Sequence, residues 1–183
     1  MTDDGEICPP EGKTSFSGIP ESQFIVDVEA FMKGEESAES KIKALDEMHQ
    51  KYKFMENSLS VRRKKLRTQV PDIKSSLVMI KKLREKKEEG ETLDTQFLLS
   101  EQVYAKAKIP PTDKVCLWLG ANVMLEYTLE DAEALLSKNL ESAEQNLKQI
   151  GFDLDYLRDQ MTNTEVTMAR LYNWDVKKRK EKK

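Results

Sequence analysis

From Ile42 onward apolar residues recur in a 3-4 alternation, and Leu45, Tyr52, Leu59, Leu66, Ile73 and Ile80 hold one position of a seven-residue repeat without a miss. This is the pattern of a helix carrying a coiled-coil seam. The companion position reads Ile42, His49, Glu56, Arg63, Val70, Leu77, so the seam is complete only toward its C-terminal part. Pro71 lies inside this helix but off the seam, where it removes one backbone hydrogen bond and predicts a bend, not a stop. A second, stronger seam runs through Leu136, Leu140, Ala143, Leu147, Ile150, Leu154, Leu157, Met161, Thr164, Met168 and Leu171. It opens on Thr128 with Asp131 three residues later, a capping box with the shorter acid. Two helices of about 50 residues would each extend about 75 Å, too long for a compact domain, so each is expected to pair with the other.

Between the helices the period changes from seven to two. Val103, Ala105, Ala107 and Ile109 alternate with Gln102, Tyr104, Lys106 and Lys108, the mark of a half-buried strand. "KVCLWLG" is apolar on both faces, as in a strand covered on two sides, and Gly120 with Asn122 supplies a turn before Val123, Leu125 and Tyr127. "FLLSEQVY" around Phe97 reads as an earlier hairpin. The expected fold class is mainly α: a long antiparallel coiled-coil hairpin with two β-hairpins between its helices. The expected organisation is a disordered arm over 1–18, a short amphipathic helix over 19–34 on Phe24, Val28 and Phe31, and coiled-coil helix 1 over 35–90. The two hairpins follow over 91–127 as an oligomerisation platform, then coiled-coil helix 2 over 128–178 and a basic tail over 179–183. Four short strands with open edges and an apolar face seldom stand alone in water, so other subunits are expected to cover them.

Composition narrows the function. Charged residues make up 34% and the net charge is -3 from 33 acidic and 30 basic residues, which offers no global field for nucleic acid or anionic lipid. Cys8 and Cys116 stand far apart, so neither a disulfide framework nor a paired-Cys zinc site is available, and Cys116 reads as a buried small hydrophobe. The acidic, Pro- and Gly-containing start lacks a secretory pattern, and no apolar stretch approaches a membrane span. The cytoplasm, with a possible nuclear pool, is the default compartment. His49 is the sole histidine and lies on a heptad position; with no phosphate loop or nucleophile elbow, no catalytic residue, cofactor or metal is expected, and the chain is read as a non-enzyme. The run from Lys177 to Lys183 reads as a solvated end that complements the helix dipole, ahead of a nuclear-localisation or nucleic-acid patch.

"PPTDKVCLWLGANVMLEY" at 110–127, "QKYKFME" at 50–56 and "YNWDVKKR" at 172–179 resemble the α-type subunits of eukaryotic prefoldin. The resemblance covers residues 18–179. It implies a hetero-hexamer with one further α-type and four β-type subunits, whose strands form a double β-barrel platform with six coiled-coil arms. It further implies ATP-independent capture of unfolded actin, tubulin and other chains, and delivery to the cytosolic chaperonin, with no membrane or nucleic-acid partner. Clients of that family contact the free ends of the arms.

The seams agree with that location, since the polar stretch at His49, Glu56 and Arg63 is expected to face the apolar stretch from Leu154 to Met168 and leave it partly uncovered. Loosely covered Met and aromatic side chains can repack around many sequences. Met48, Tyr52, Phe54, Met55, Leu157, Met161, Met168, Leu171, Tyr172 and Trp174 are the candidate client-binding residues, with ordinary coiled-coil packing under Arg and Glu stems as the plainer alternative. Phe97, Leu99, Val103, Val115, Leu117, Trp118, Val123 and Leu125 are the candidate oligomerisation residues. A coiled-coil tether or adaptor that holds no unfolded client is the competing function.

Overall fold

The computed structural model describes residues 8–10, 12, 14–32 and 37–181. The chain is mainly helical. A short α1 (Val28–Phe31) precedes the long α2 (Ala38–Glu89); four strands, β1 (Leu93–Ser100), β2 (Val103–Ile109), β3 (Lys114–Gly120) and β4 (Val123–Thr128), lead into the long α3 (Leu129–Glu181). The chain divides into two compact units, one drawn from Met1–Lys65 with Asn146–Lys183 and the other from Leu66–Gln145.

In the first unit α2 and α3 run antiparallel. As the α2 partner advances through Glu39, His49 and Glu56, the α3 partner retreats through Arg179, Glu165 and Arg158, at 3.7, 2.9 and 4.0 Å. Tyr52 and Leu59 from one seam and Ile150, Leu154, Leu157 and Leu171 from the other are buried. The buried faces are thus those the heptads mark, because a 3-4 alternation keeps one stripe toward the partner helix.

Residues 14–27 form a strap packed against this pair. Ser15, Ile19, Ser22 and Ile25 are buried in it. This corrects the expected helix over 19–34: among the described residues of that span only Val28–Phe31 is helical, capped by Asp27 Oδ1, which accepts from the amides of Glu29 and Ala30 at 2.9 and 3.2 Å. Ahead of the cap, side chains of α3 satisfy the backbone groups that a helix would have paired internally, and Pro20 has no amide to give. Ile25 is buried where the helical stripe called for Phe24, which is exposed. Of the arm expected to be disordered over 1–18, residues 14–18 belong to the strap, while 1–7, 11 and 13 lie outside the described residues, as do 33–36.

In the second unit α2 continues through Pro71 without interruption. Its antiparallel partner is again α3, with Lys74 to Glu144 at 2.7 Å and Arg84 paired with Glu133. The helix ends in a Schellman motif: the Glu91 amide donates to the Lys86 carbonyl at 3.0 Å and the Gly90 amide to the Lys87 carbonyl at 3.1 Å, with Gly90 at a φ of 68°. Lys86 binds Glu89 and Glu91 at 2.6 and 2.8 Å, which raises its own pKa and lowers that of Glu91.

β1 pairs antiparallel with β2, from Leu93 opposite Ile109 to Leu98 opposite Tyr104, and β3 with β4, from Lys114 opposite Thr128 to Trp118 opposite Met124. Each hairpin carries a register irregularity just before its turn, and Gln102, Ala121 and Asn122 there adopt positive φ. Thr128 then caps α3: its Oγ1 accepts from the Asp131 amide at 3.1 Å and donates to Asp131 Oδ2 at 2.7 Å. The shorter acid takes the Thr hydroxyl, where a Glu would reach back to the backbone amide. Ile80, Leu129 and Ala132 form this unit's core, with Leu83, Val115, Leu117, Tyr127 and Leu136 packed on it.

Candidate functional site

The strap is held by a row of side chains that reach its backbone. Asp153, almost wholly buried on α3, accepts from the amides of Phe16 and Ser17 at 2.8 and 2.9 Å and from the Ser17 hydroxyl. Gln160 Oε1 accepts from the Ser22 amide and hydroxyl at 2.8 and 3.0 Å. Arg170 Nη1 donates to the Ile25 carbonyl at 3.0 Å and its guanidinium lies over the Phe24 ring. From α2, Tyr52 Oη donates to the Pro20 carbonyl at 2.8 Å, and Lys41 Nζ donates to the Phe31 carbonyl at 3.1 Å. Phe16 meets Phe152 edge-on at 5.6 Å. Burial, then the neighbouring Tyr156 and Glu21, raises the Tyr52 pKa above the ordinary phenol value.

These contacts change the state of the apolar residues named from the sequence. Tyr52, Leu157 and Leu171 are fully buried; Met48, Met55, Met161, Met168 and Trp174 are half-buried; Phe54 and Tyr172 stand in water at 76% and 62% exposure. The expected gap in cover was read from two helices alone, whereas three chain segments meet here. Where the α2 seam is polar, Glu56 and Arg63 are half-buried and share a cleft of about 230 Å³ with Lys53, Leu154 and Arg158. Trp174 has Lys178 Nζ 4.1 Å over its ring.

Asp153, Gln160 and Thr167 were not singled out from the sequence, yet all three are buried. A signal for them exists: Asn146, Gln149, Asp153, Tyr156, Gln160, Asn163 and Thr167 make an i, i+3/i+4 stripe without Lys or Glu on an otherwise highly charged helix. A solvated face would carry long charged side chains, whereas short amides, hydroxyls and one acid suit a polar interface.

On the hairpins, Val115 and Leu117 lie against the core of their unit, while Phe97, Leu99, Val103, Trp118, Val123 and Leu125 are between 44% and 64% exposed. Cys116, expected to be buried, is exposed, because its face of β3, shared with Trp118 and with Glu126 and Met124 across the ladder, has no cover from the described residues. No group of side chains able to hold a metal occurs among the described residues. No helix among them is long and apolar enough to cross a membrane.

The Prefoldin subunit family matches residues 52–174. Prefoldin subunit 3 of Homo sapiens is 53% identical over 177 residues, covering 96% of this chain and 90% of that protein. Prefoldin subunit 3 of Drosophila melanogaster is 53% identical over 172 residues, 93% of this chain and 87% of that one. A filamentous PFD from Methanocaldococcus jannaschii, solved by cryo-EM, shares the fold with a TM-score of 0.51 at 17% identity, covering 64% of this chain and 95% of its own.

Proposed function

Because this chain belongs to the prefoldin subunit family, we propose that it is an α-type subunit of a hetero-hexameric chaperone that captures unfolded polypeptides without ATP. Its partners are one further α-type and four β-type subunits; actin and tubulin are among the clients, and the cytosolic chaperonin receives them. The cytoplasm is the proposed compartment. The observation that carries this reading is the large apolar side chains left in water in each unit, on the hairpins of one and at Phe54 and Tyr172 in the other. Exposed apolar surface of this extent marks surfaces that other polypeptides cover. The hairpins, with open edges and an uncovered face, suit permanent neighbours. Half-buried methionines beside exposed aromatics suit transient, sequence-tolerant contacts.

The test is co-expression with candidate α- and β-type prefoldin subunits, followed by native mass and by suppression of the aggregation of denatured actin without nucleotide. A hexamer that holds actin equally well with and without ATP is expected. Met161→Gln, Met168→Gln and Trp174→Gln together are expected to abolish suppression while the hexamer still forms; unchanged suppression refutes the assignment of those residues. A hexamer that assembles but holds no client would point to the tether or adaptor role.

A further inference from the structure

We propose that the lane on α3 and α2 occupied by residues 14–25 is itself a binding site for an extended, unfolded polypeptide, and that the strap is a placeholder which a client segment displaces. The inference rests on the client-capture reading above and assigns that capture a site.

The lane reads main chain. Asp153 takes two strap amides and Gln160 a third, while Tyr52 and Arg170 each donate to a carbonyl. The Ser17 and Ser22 hydroxyls add to these bonds, but the main-chain ones are indifferent to side-chain identity except at proline, so another sequence in the same conformation would satisfy the same groups through its backbone. After a turn at Ser15–Gly18, which the Ser15 hydroxyl closes by accepting from the Ile19 amide and Gly18 leaves at a φ of 67°, the conformation is extended. Between the Asp153 and Arg170 anchors α3 rises about 25 Å, and the strap crosses from Ser17 to Ile25 in that interval. Even after several ångströms are allowed for the length of Arg170, the advance per strap residue stays well above the 1.5 Å of a helix. An unfolded client offers this kind of backbone.

The lane also has unused capacity. Thr167 Oγ1 and Tyr156 Oη, on α3 between those two anchors, are buried and have no hydrogen-bond partner among the described residues. Thr167 has no exposed surface at all, so a hydrogen-bonding group has been placed where the strap does not use it. Occupancy by the strap is closely balanced. Its buried apolar anchors are only Ile19 and Ile25, set against the loss of backbone freedom over a dozen residues. An empty lane would strip Asp153 and Gln160 of their present partners, and a tethered segment satisfies them until a client arrives.

The proposal is tested in the assembled hexamer with guanidinium-denatured actin as the probe. Ser22→Cys with Gln160→Cys, in a Cys8→Ser and Cys116→Ser background, is joined through a reducible bis-methanethiosulfonate linker; Ser22 Oγ and Gln160 Oε1 lie 3.0 Å apart. The linked hexamer is expected to capture several-fold less actin than the same preparation after reduction, a comparison independent of any effect of the substitutions on folding. Conversely, Ile19→Asp with Ile25→Asp weakens the placeholder and leaves the lane intact, so capture is expected to strengthen about threefold or more as the competent fraction rises. Linked and reduced hexamers that capture equally, or a release variant that captures less than the wild type, overturn this inference alone. Failure of the wild-type hexamer to capture actin overturns the proposed function, and this site with it.

Discussion

Tyr52 performs two tasks with one side chain. Its ring fills a seam position between α2 and α3 and is fully buried, while its hydroxyl ties the strap through the Pro20 carbonyl at 2.8 Å. Tyr52→Phe keeps the ring and removes the tie. Pro20 is exposed, so its carbonyl can turn to water, and the expected cost is about 1 kcal/mol, measured by denaturant unfolding. The same residue confers a pH dependence. Its pKa is raised in the folded chain, mainly by burial, so its contribution is fully present below the unfolded tyrosine value of about 10 and is lost as pH rises through the folded value. Thermal melts above pH about 10 should therefore fall less steeply for Tyr52→Phe than for the wild type. The heptad placed Tyr52 on the seam, but its hydroxyl partner lies 32 positions away in a segment with no period, and no local pattern announces such a bond.

At the scale of elements, the β3–β4 hairpin divides into a face held by its own unit and a face left open. The alternation along β3 sends Val115 and Leu117 to the core around Ile80 and Leu129, and Cys116 and Trp118 to the other side. Substitution separates the two roles. Trp118→Asp is expected to prevent hexamer assembly while leaving helical circular dichroism nearly unchanged. Leu117→Asp puts a charge against the apolar core and is expected to cost roughly 3 kcal/mol of stability as well. Native mass and melting temperature, measured on both, distinguish the outcomes; assembly by Trp118→Asp would remove that face from the interface. Strand alternation was legible from the local sequence alone, as was the Thr128–Asp131 cap, because both are set by residues within a few positions of one another. Which face of "KVCLWLG" the chain itself covers was not, since that depends on Ile80 and Leu129, far along the sequence in opposite directions.

At the scale of the whole molecule, apolar side chains remain in water on both units, against a net charge of only -3. Little electrostatic repulsion opposes association. Produced without partners, the chain is expected to self-associate or precipitate, and to become a discrete species only on co-expression with other prefoldin subunits. Analytical ultracentrifugation checks this; a well-folded monomer at micromolar concentration would mean that the open hairpin faces need no neighbour.

The sequence by itself determined the two long helices, their mutual pairing and the two hairpins between them. Each of these rests on a repeated pattern in which every period adds the same preference, and an antiparallel partner is the cheapest cover for a stripe that recurs every seven residues. Tertiary structure alone decided the course of residues 14–27. The helical spacing of Phe24, Val28 and Phe31 touches that segment only near its end, and the groups that hold it, Asp153, Gln160 and Arg170, lie 136 to 145 positions further on. A backbone whose hydrogen bonds are supplied by side chains so distant takes its conformation from the surface it lies on.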